Sequence, residues 1–379
     1  MTNLKVLFVV EFSSAEDSSA VRRILVLKDG LDKSGARTDI LYLGDYILNK
    51  PRLLLPLNIP RFLRSLKEYD VVHAAGVSAF VMGIAKSFSD FKLVFDVHGS
   101  MYESCLLRKN IFDIAAHYSL FLNMLVVQVG VKKADYFITV SEPLRQNLID
   151  RGIDEYRTEI IYNGVDAELF KPSGERVNNE TFTVTYAGAF QRWQGIDNLV
   201  EAACLLENVQ VKFKMIGFKK SNSALKEKIK RRLKGRVECI DYQPRERGNQ
   251  PQELVDHLRR SDVLIIPRYW DPRNSKCRNI QYFRDTFGWL STKFGEYIAT
   301  SRPVIVTKLD VSADFVEKYD CGFVCDPAPE SIAKAILAAK ETPPEELDKK
   351  GMNGRHLAET EFDLRVTGKK YFDFLSRIV

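Results

Sequence analysis

Lys171 to Thr181 reads KPSGERVNNET, a stretch of Pro, Gly, paired Asn and charge with almost no apolar content. Nothing in it can supply the buried face that a strand or helix needs, so it reads as a linker. Working back from it, Thr158–Tyr162 and Tyr136–Val140 are strand-like, each preceded by a helical segment. Upstream, Leu93–Asp96 and Val71–Ala74 flank a helix at Ser78–Ser87, and Asp39–Leu43 and Val6–Val10 flank another at Ala20–Leu31. Working forward, the same rhythm restarts. Phe182–Ala187, Val209–Ile216, Val237–Ile240, Asp262–Pro267, Pro303–Thr307 and Gly322–Cys325 are strands. Helices at Gly195–Leu206, Ser221–Leu233, Pro251–Arg260 and Thr292–Thr300 separate most of them, and the chain beyond Ser331 is mostly helical. Strands alternating with helices predict parallel, doubly wound sheets, and the linker divides them into two α/β domains. Such sheets bind ligands outside the carboxyl ends of their strands, so two of them create a central cleft lined by the loops that follow strands.

Composition narrows the class. The chain has 379 residues, 45% hydrophobic and 28% charged, which excludes a disordered protein. Fifty-six Lys and Arg against fifty Asp and Glu leave a net charge of +6, too little to argue for nucleic acid but compatible with anionic substrates or an acidic membrane surface. Six scattered cysteines (Cys105, Cys204, Cys239, Cys277, Cys321 and Cys325) form neither a disulfide framework nor a zinc set, so reduced thiols are expected. The apolar run Val6–Val10 is shorter than the roughly 7–15 residues of a signal-peptide core. Leu120–Val131, broken by Asn123 and Gln128, is well short of the roughly 20 residues that cross a bilayer. The expected location is cytoplasmic. Lys50 to Lys67, KPRLLLPLNIPRFLRSLK, interleaves basic and apolar residues; it either lies on an anionic membrane face or is ordinary core with solvated cations.

Four segments after strands hold residue types suited to chemistry. In Asp96-Val97-His98-Gly99, an imidazole beside a glycine can face a cleft and exchange a proton, or can be a hydrogen-bonded structural histidine. Tyr162-Asn163-Gly164-Val165-Asp166 reads first as a turn tolerant of positive φ leading to the linker. Ala187 to Gly195, AGAFQRWQG, joins a strand to a helix. Its backbone N–H groups and Arg192 can meet a phosphate, although with only Gly188 and Gly195 it is not a dinucleotide fingerprint. In Ser291 to Tyr297, STKFGEY, Ser291 or Thr292 can cap a helix whose first-turn N–H groups, with Lys293, meet an anion. Glu296, one turn later, can accept hydrogen bonds from a pair of sugar hydroxyls. The alternative there is an exposed Lys293–Glu296 pair, against which Gly295 argues, since a glycine within a helix is unfavourable unless its backbone is closely packed.

Taken together, these segments resemble the retaining glycosyltransferases of family 4, which have the GT-B fold. The resemblance runs through DVVHAAG (70–76), FDVHG (95–99), VSEPLRQNLIDRGI (140–153), IIYNGVDAELFKP (160–172), YAGAFQRWQGIDNLVEAACLL (186–206), SDVLIIPR (261–268) and STKFGEYIATSRPVIVT (291–307). It implies two Rossmann-like domains: an acceptor-binding domain over 1–172, onto which a helix at about 363–379 packs back, and a nucleotide-sugar-binding domain over 173–362. It implies that His98 approaches the donor sugar and that Glu296 is the second Glu of a Glu-x7-Glu motif, at the ribose. Ser291, Thr292 and Lys293 fall on the family's backbone cradle for diphosphate and sugar, and Gly188 is the donor-binding loop glycine.

Four positions depart from the family. Gly288 stands where the first Glu belongs, Ala189 where an Arg often follows the loop glycine, and Gln194 where a Lys often precedes the second glycine. The Gly-Gly loop after the first strand is absent, with Ser18 and Ser19 in that region. Arg192 and Lys293 are the nearest substitute cations. No two aspartates are spaced i and i+2 and no histidines i and i+4, so no metal site is expected. The expectation is a metal-independent, retaining, hexosyl-type transferase without a cofactor, its donor a nucleoside diphosphate sugar. The acceptor is a glycan or lipid-linked hydroxyl in lipid-linked glycan or surface polysaccharide synthesis. A nucleotide-sugar epimerase and a non-catalytic nucleotide-sugar-binding subunit are the alternatives.

Overall fold

The computed structural model describes residues 4–10, 19–43, 62–97, 128–172, 180–241, 252–269 and 280–379. Its first sheet contains β1 (Lys5–Val10), β2 (Arg37–Tyr42), β3 (Val71–Ala75), β4 (Lys92–Val97), β5 (Tyr136–Thr139) and β6 (Thr158–Ile160). They lie in the order β2-β1-β3-β4-β5-β6, every pair parallel. The central strands are almost wholly apolar because both faces of the sheet are covered: Val6 to Val10 are all buried, as are all five residues of β3, His73 being its one polar side chain. Helices α1 (Ser19–Lys33), α2 (Gly76–Ala85) and α3 (Glu142–Asp150) lie in three of the connections, and helical residues 62–66 and 128–133 lie in the other two.

The second sheet holds β7 (Phe182–Ala187), β8 (Val211–Phe218), β9 (Val237–Asp241), β10 (Val263–Ile266), β11 (Val304–Thr307) and β12 (Gly322–Cys325). Its order is β12-β11-β10-β7-β8-β9, again wholly parallel, the Rossmann arrangement of 3-2-1-4-5-6. Around it lie α4 (Ile196–Leu205), α5 (Ser223–Leu233), α6 (Gln252–Arg259), α7 (Ile280–Phe287), α8 (Thr292–Ala299), α9 (Ser312–Tyr319), α10 (Pro329–Glu341) and α11 (Pro344–Leu357). The strand order reverses between β7 and β10, so the loops leaving those two strands part in opposite directions and open a crevice.

After α11 a π-helical turn, Ala358–Phe362, brings the chain back to the first domain. Val165 N–H donates to Phe362 O at 2.8 Å and Leu364 N–H to Val165 O at 2.9 Å. Asp363 then caps α12 (Leu364–Ile378) by accepting from Arg365 N–H at 2.9 Å. α12 crosses α1 at two glycines. A Cβ on Gly30 would stand 2.8 Å from Gly368 Cα and 2.4 Å from Leu364 O, a contact that only glycine permits. The close crossing seats Tyr371, Phe374 and Leu375 in one core with Val6, Phe8, Ile24 and Leu27. Each such side chain contributes about 1.5–3 kcal/mol on burial.

Candidate functional site

Four elements of the second domain converge at the crevice between β7 and β10. The loop after β7 makes a short 3-10 turn, Arg192–Gln194, and enters α4 through Gly195, whose φ is +74°. A Cβ on Gly195 would lie 1.7 Å from Pro267 O, so the loop leaving β10 rests directly on its backbone. Tyr269 N–H donates to Trp193 O at 3.2 Å and joins the two loops. Gly188 leaves room for a second close approach: a Cβ there would meet Lys293 Cε at 2.2 Å, and the lysine would have to move aside.

Lys293 lies in the first turn of α8, half-buried, with its ammonium donating to Gln194 Oε1 at 2.9 Å and lying 5.6 Å from the centre of the Tyr186 ring. Burial, and then the Arg268 guanidinium, push it down to about 8; Asp310 and Glu296 oppose the shift, and Arg22 on α1 of the first domain adds to it. Ser291 is the N-cap of α8, yet its side chain makes no capping hydrogen bond. Phe294 N–H donates back to Ser291 O, so the N–H groups of Thr292 and Lys293 are the ones left to meet an anion.

Arg268, the residue after Pro267, is buried: its Nε donates to Asp310 Oδ2 at 2.9 Å, and its guanidinium carbon sits 4.7 Å from the centre of the Trp289 ring. Asp310 is fully buried and also accepts from Ser291 N–H at 3.3 Å, Ser312 N–H at 3.0 Å and Ser312 Oγ at 2.7 Å. It fixes Arg268 and the start of α8 to one carboxylate.

The facing side of the first domain is built on a buried ion pair. Arg23 donates through Nε and Nη2 to the two oxygens of Asp96, at 2.8 and 3.1 Å, and through Nη1 to Tyr162 O at 3.0 Å and Asn163 Oδ1 at 3.3 Å. His73 stands against the same carboxylate at 3.4 Å and hydrogen-bonds the Tyr371 hydroxyl at 2.8 Å. The Asn163 amide continues into the second domain, donating to Leu290 O at 2.8 Å. Ser141 Oγ donates to Gly288 O at 2.7 Å in parallel.

Of the residues singled out from sequence, the structure brings Gly188, Ser291, Thr292, Lys293 and Glu296 to one corner. Arg192 is close in sequence to that corner but exposed on its turn. His98 lies outside the described residues, as do 50–61 of the basic, apolar stretch. The Asn163-Gly164 reading changes: neither residue has positive φ. Gly164 is small because a Cβ would meet Val26 Cγ1 at 2.6 Å and Thr367 Oγ1 at 2.8 Å, and Asn163 ties the domains together. Gly295 does have a close neighbour in Val165, but a Cβ would clear it at 3.4 Å, an ordinary contact. Gly288 has φ +51°, and a Cβ would press on Leu144 Cγ at 2.5 Å, so its position is filled by the first domain. Arg268 and Asp310 carried no expectation; a cation two residues after the apolar run Val263–Ile266 was the available signal.

Residues 20–169 match the family described as Glycosyltransferase Family 4, and residues 168–356 match Glycosyl transferases group 1. An uncharacterized glycosyltransferase of Methanocaldococcus jannaschii is 21% identical over 305 residues, 77% of this chain and 70% of that protein. Among solved structures, sucrose-phosphate synthase of Thermosynechococcus elongatus superposes with a TM-score of 0.75 at 16% identity, over 99% of both chains. The Anabaena protein HepE, in complex with UDP-glucose, gives 0.71 at 18% identity, over 99% of this chain and 100% of that one.

Proposed function

The chain belongs to the family-4-type glycosyltransferases of the GT-B fold and is a nucleotide-sugar glycosyltransferase; from that premise we propose that it is a retaining, metal-independent enzyme acting on an acceptor hydroxyl. The observation that carries this reading is the placement of Lys293. Its ammonium is held between Gly188 and Gln194, beside helix N–H groups without a side-chain cap, at the switch point of the second sheet. Positive charge accumulated there in advance stabilises a diphosphate as it departs and gathers negative charge, without a divalent ion. Lys293, with Gly188, Ser291 and Thr292, holds the diphosphate; Arg192 flanks it. Glu296, one helical turn further along, accepts from the ribose. His98, two residues beyond the buried Asp96, approaches the donor sugar. The departing diphosphate takes the acceptor proton on the face from which it leaves. The protein's contribution is therefore alignment and electrostatics rather than a carboxylate nucleophile.

A hexosyl donor and a glycan or lipid-linked acceptor, met at the cytoplasmic membrane face through 50–67, complete the reading. The experiment is product analysis. The protein is incubated with UDP, GDP and dTDP sugars, with and without short lipid-linked glycan acceptors, and the anomeric configuration of the product is read by NMR. A product with the donor's configuration, formed only with acceptor, supports the proposal. Donor consumed without acceptor makes the chain an epimerase, donor bound but never consumed makes it a binding subunit, and inverted product refutes retention.

A further inference from the structure

Arg268 is a buried cation whose charge exceeds what its surroundings use. A guanidinium offers five N–H donors. Among the described residues, the only hydrogen bond from this side chain is the one from Nε to Asp310. The side chain is 8% exposed, and neither Nη atom is among the buried atoms that lack a partner, so both keep some contact with solvent. Taking a guanidinium out of water for a single-point pairing is unfavourable, since a lone carboxylate contact from Nε does not replace the hydration of the forked end. Trp289 below the guanidinium and Asp310 beside it fix the direction of that end.

Its location matters as much. Arg268 follows β10 on the side of the strand reversal, and the loop that carries it lies on Gly195 and Trp193 of the β7 loop. That loop lacks the cations usual in the family, having Ala189 and Gln194. The Lys293 ammonium occupies the space beside Gln194, and Arg268 is close enough to be its principal repelling charge. Two neighbouring like charges in a half-dry crevice repel each other when it is empty, and both are relieved by one polyanion between them. Arg192, by contrast, is exposed on its 3-10 turn.

We propose that Arg268, oriented by Asp310 and Trp289, is the second diphosphate-binding cation of this enzyme, working as a fork beside Lys293 in the role that sequence reasoning gave to Arg192. The inference rests on the nucleotide-sugar reading above and assigns a residue which that reading did not use. A planar fork suits two phosphate oxygens at once, which the point charge of Lys293 cannot match.

The test is titration calorimetry with UDP, GDP and dTDP, the corresponding monophosphates, and inorganic pyrophosphate as a competitor. Arg268→Gln strands the Asp310 carboxylate, so Arg268→Gln/Asp310→Asn is measured with it, and thermal unfolding identifies folded samples. In the folded variants the nucleoside diphosphate binds at least thirtyfold more weakly, its advantage over the monophosphate falls at least tenfold, and pyrophosphate no longer competes. Arg268→Lys recovers part of the loss, and Arg192→Gln loses less than either Arg268 variant. Diphosphate affinity within threefold of wild type in the folded double variant, or a larger loss in Arg192→Gln, overturns the assignment of Arg268 while leaving the nucleotide-sugar reading intact. A wild-type protein that binds none of the three diphosphates overturns both.

Discussion

Replacing Lys293 with methionine should make the protein more stable and a poorer nucleotide binder at once. The side chain keeps its length and packing against Gly188 but loses a charge held in an unfavourable place. The gap between about 8 in the folded chain and the ordinary 10.5 corresponds to about 3 kcal/mol. The lysine is charged in both folded and unfolded chains below about pH 8, and the folded chain then bears the whole penalty. As pH rises through 8 the folded lysine discharges first, and the penalty fades toward pH 10.5, to about 2 kcal/mol at pH 9. The hydrogen bond to Gln194, lost in the variant, returns about 1 kcal/mol to the other side. The expected net gain is therefore about 2 kcal/mol at pH 7, a rise in melting temperature of about 4–8 °C for a domain of this size. At pH 9 the gain should fall to about half. Loss of a charge-assisted contact to phosphate weakens nucleoside diphosphate by about 10–100-fold, so saturating UDP or GDP should stabilise the wild type far more than the variant. Differential scanning calorimetry at pH 7 and pH 9, with and without nucleotide, reads all of this. A Lys293→Met protein that melts below the wild type at pH 7, or one that nucleotide stabilises equally well, would refute the electrostatic account of this corner.

Glu296→Ala should weaken free nucleoside diphosphate and raise KM while leaving kcat nearly unchanged, since a ribose contact is made in ground and transition states alike; unchanged calorimetric affinity rejects the ribose role. His98→Ala should cut kcat by about two orders of magnitude with donor affinity intact, and wild-type turnover in that variant removes His98 from the reacting centre. Sugar transfer should persist in excess EDTA, because cations of the chain meet the leaving group; activity lost to EDTA and restored by magnesium contradicts this. Asp96→Ala leaves the Arg23 guanidinium buried and uncompensated and should cost about 3–5 kcal/mol; a urea midpoint equal to wild type would mean that the Arg23 cluster is not the support described here.

Sequence shows most plainly what depends on local pattern. Parallel strands covered on both faces must be apolar throughout, and Val6–Val10 and Val263–Ile266 are visible for that reason. The corner at Lys293 was legible because Ser291 to Glu296 presents an N-cap position, a cation and a carboxylate over the first two turns of one helix. Long-range reasons were not. Gly164 looks like a turn residue and is a packing site between α1 and α12. Gly288 looks like a missing carboxylate, and the first domain fills its place. Arg268 has meaning only beside Asp310, Gly195 and Lys293, which are brought to it by the strand reversal. Asn163, more than a hundred residues from Leu290, gives no local sign of the bond that joins the domains.

The helix α12 belongs to the first domain's core but follows the whole of the second domain in the chain. During synthesis, β6 has emerged about 200 residues before α12, which at about 5–20 residues per second is about 10–40 s of translation. Over that interval the second sheet, contiguous in the chain, can close, while Val6, Phe8, Ile24 and Leu27 still lack Tyr371 and Phe374. The domain made first is thus the one finished second. The nascent protein spends that interval with an open apolar seam along α1, a surface suited to chaperones and exposed to premature association.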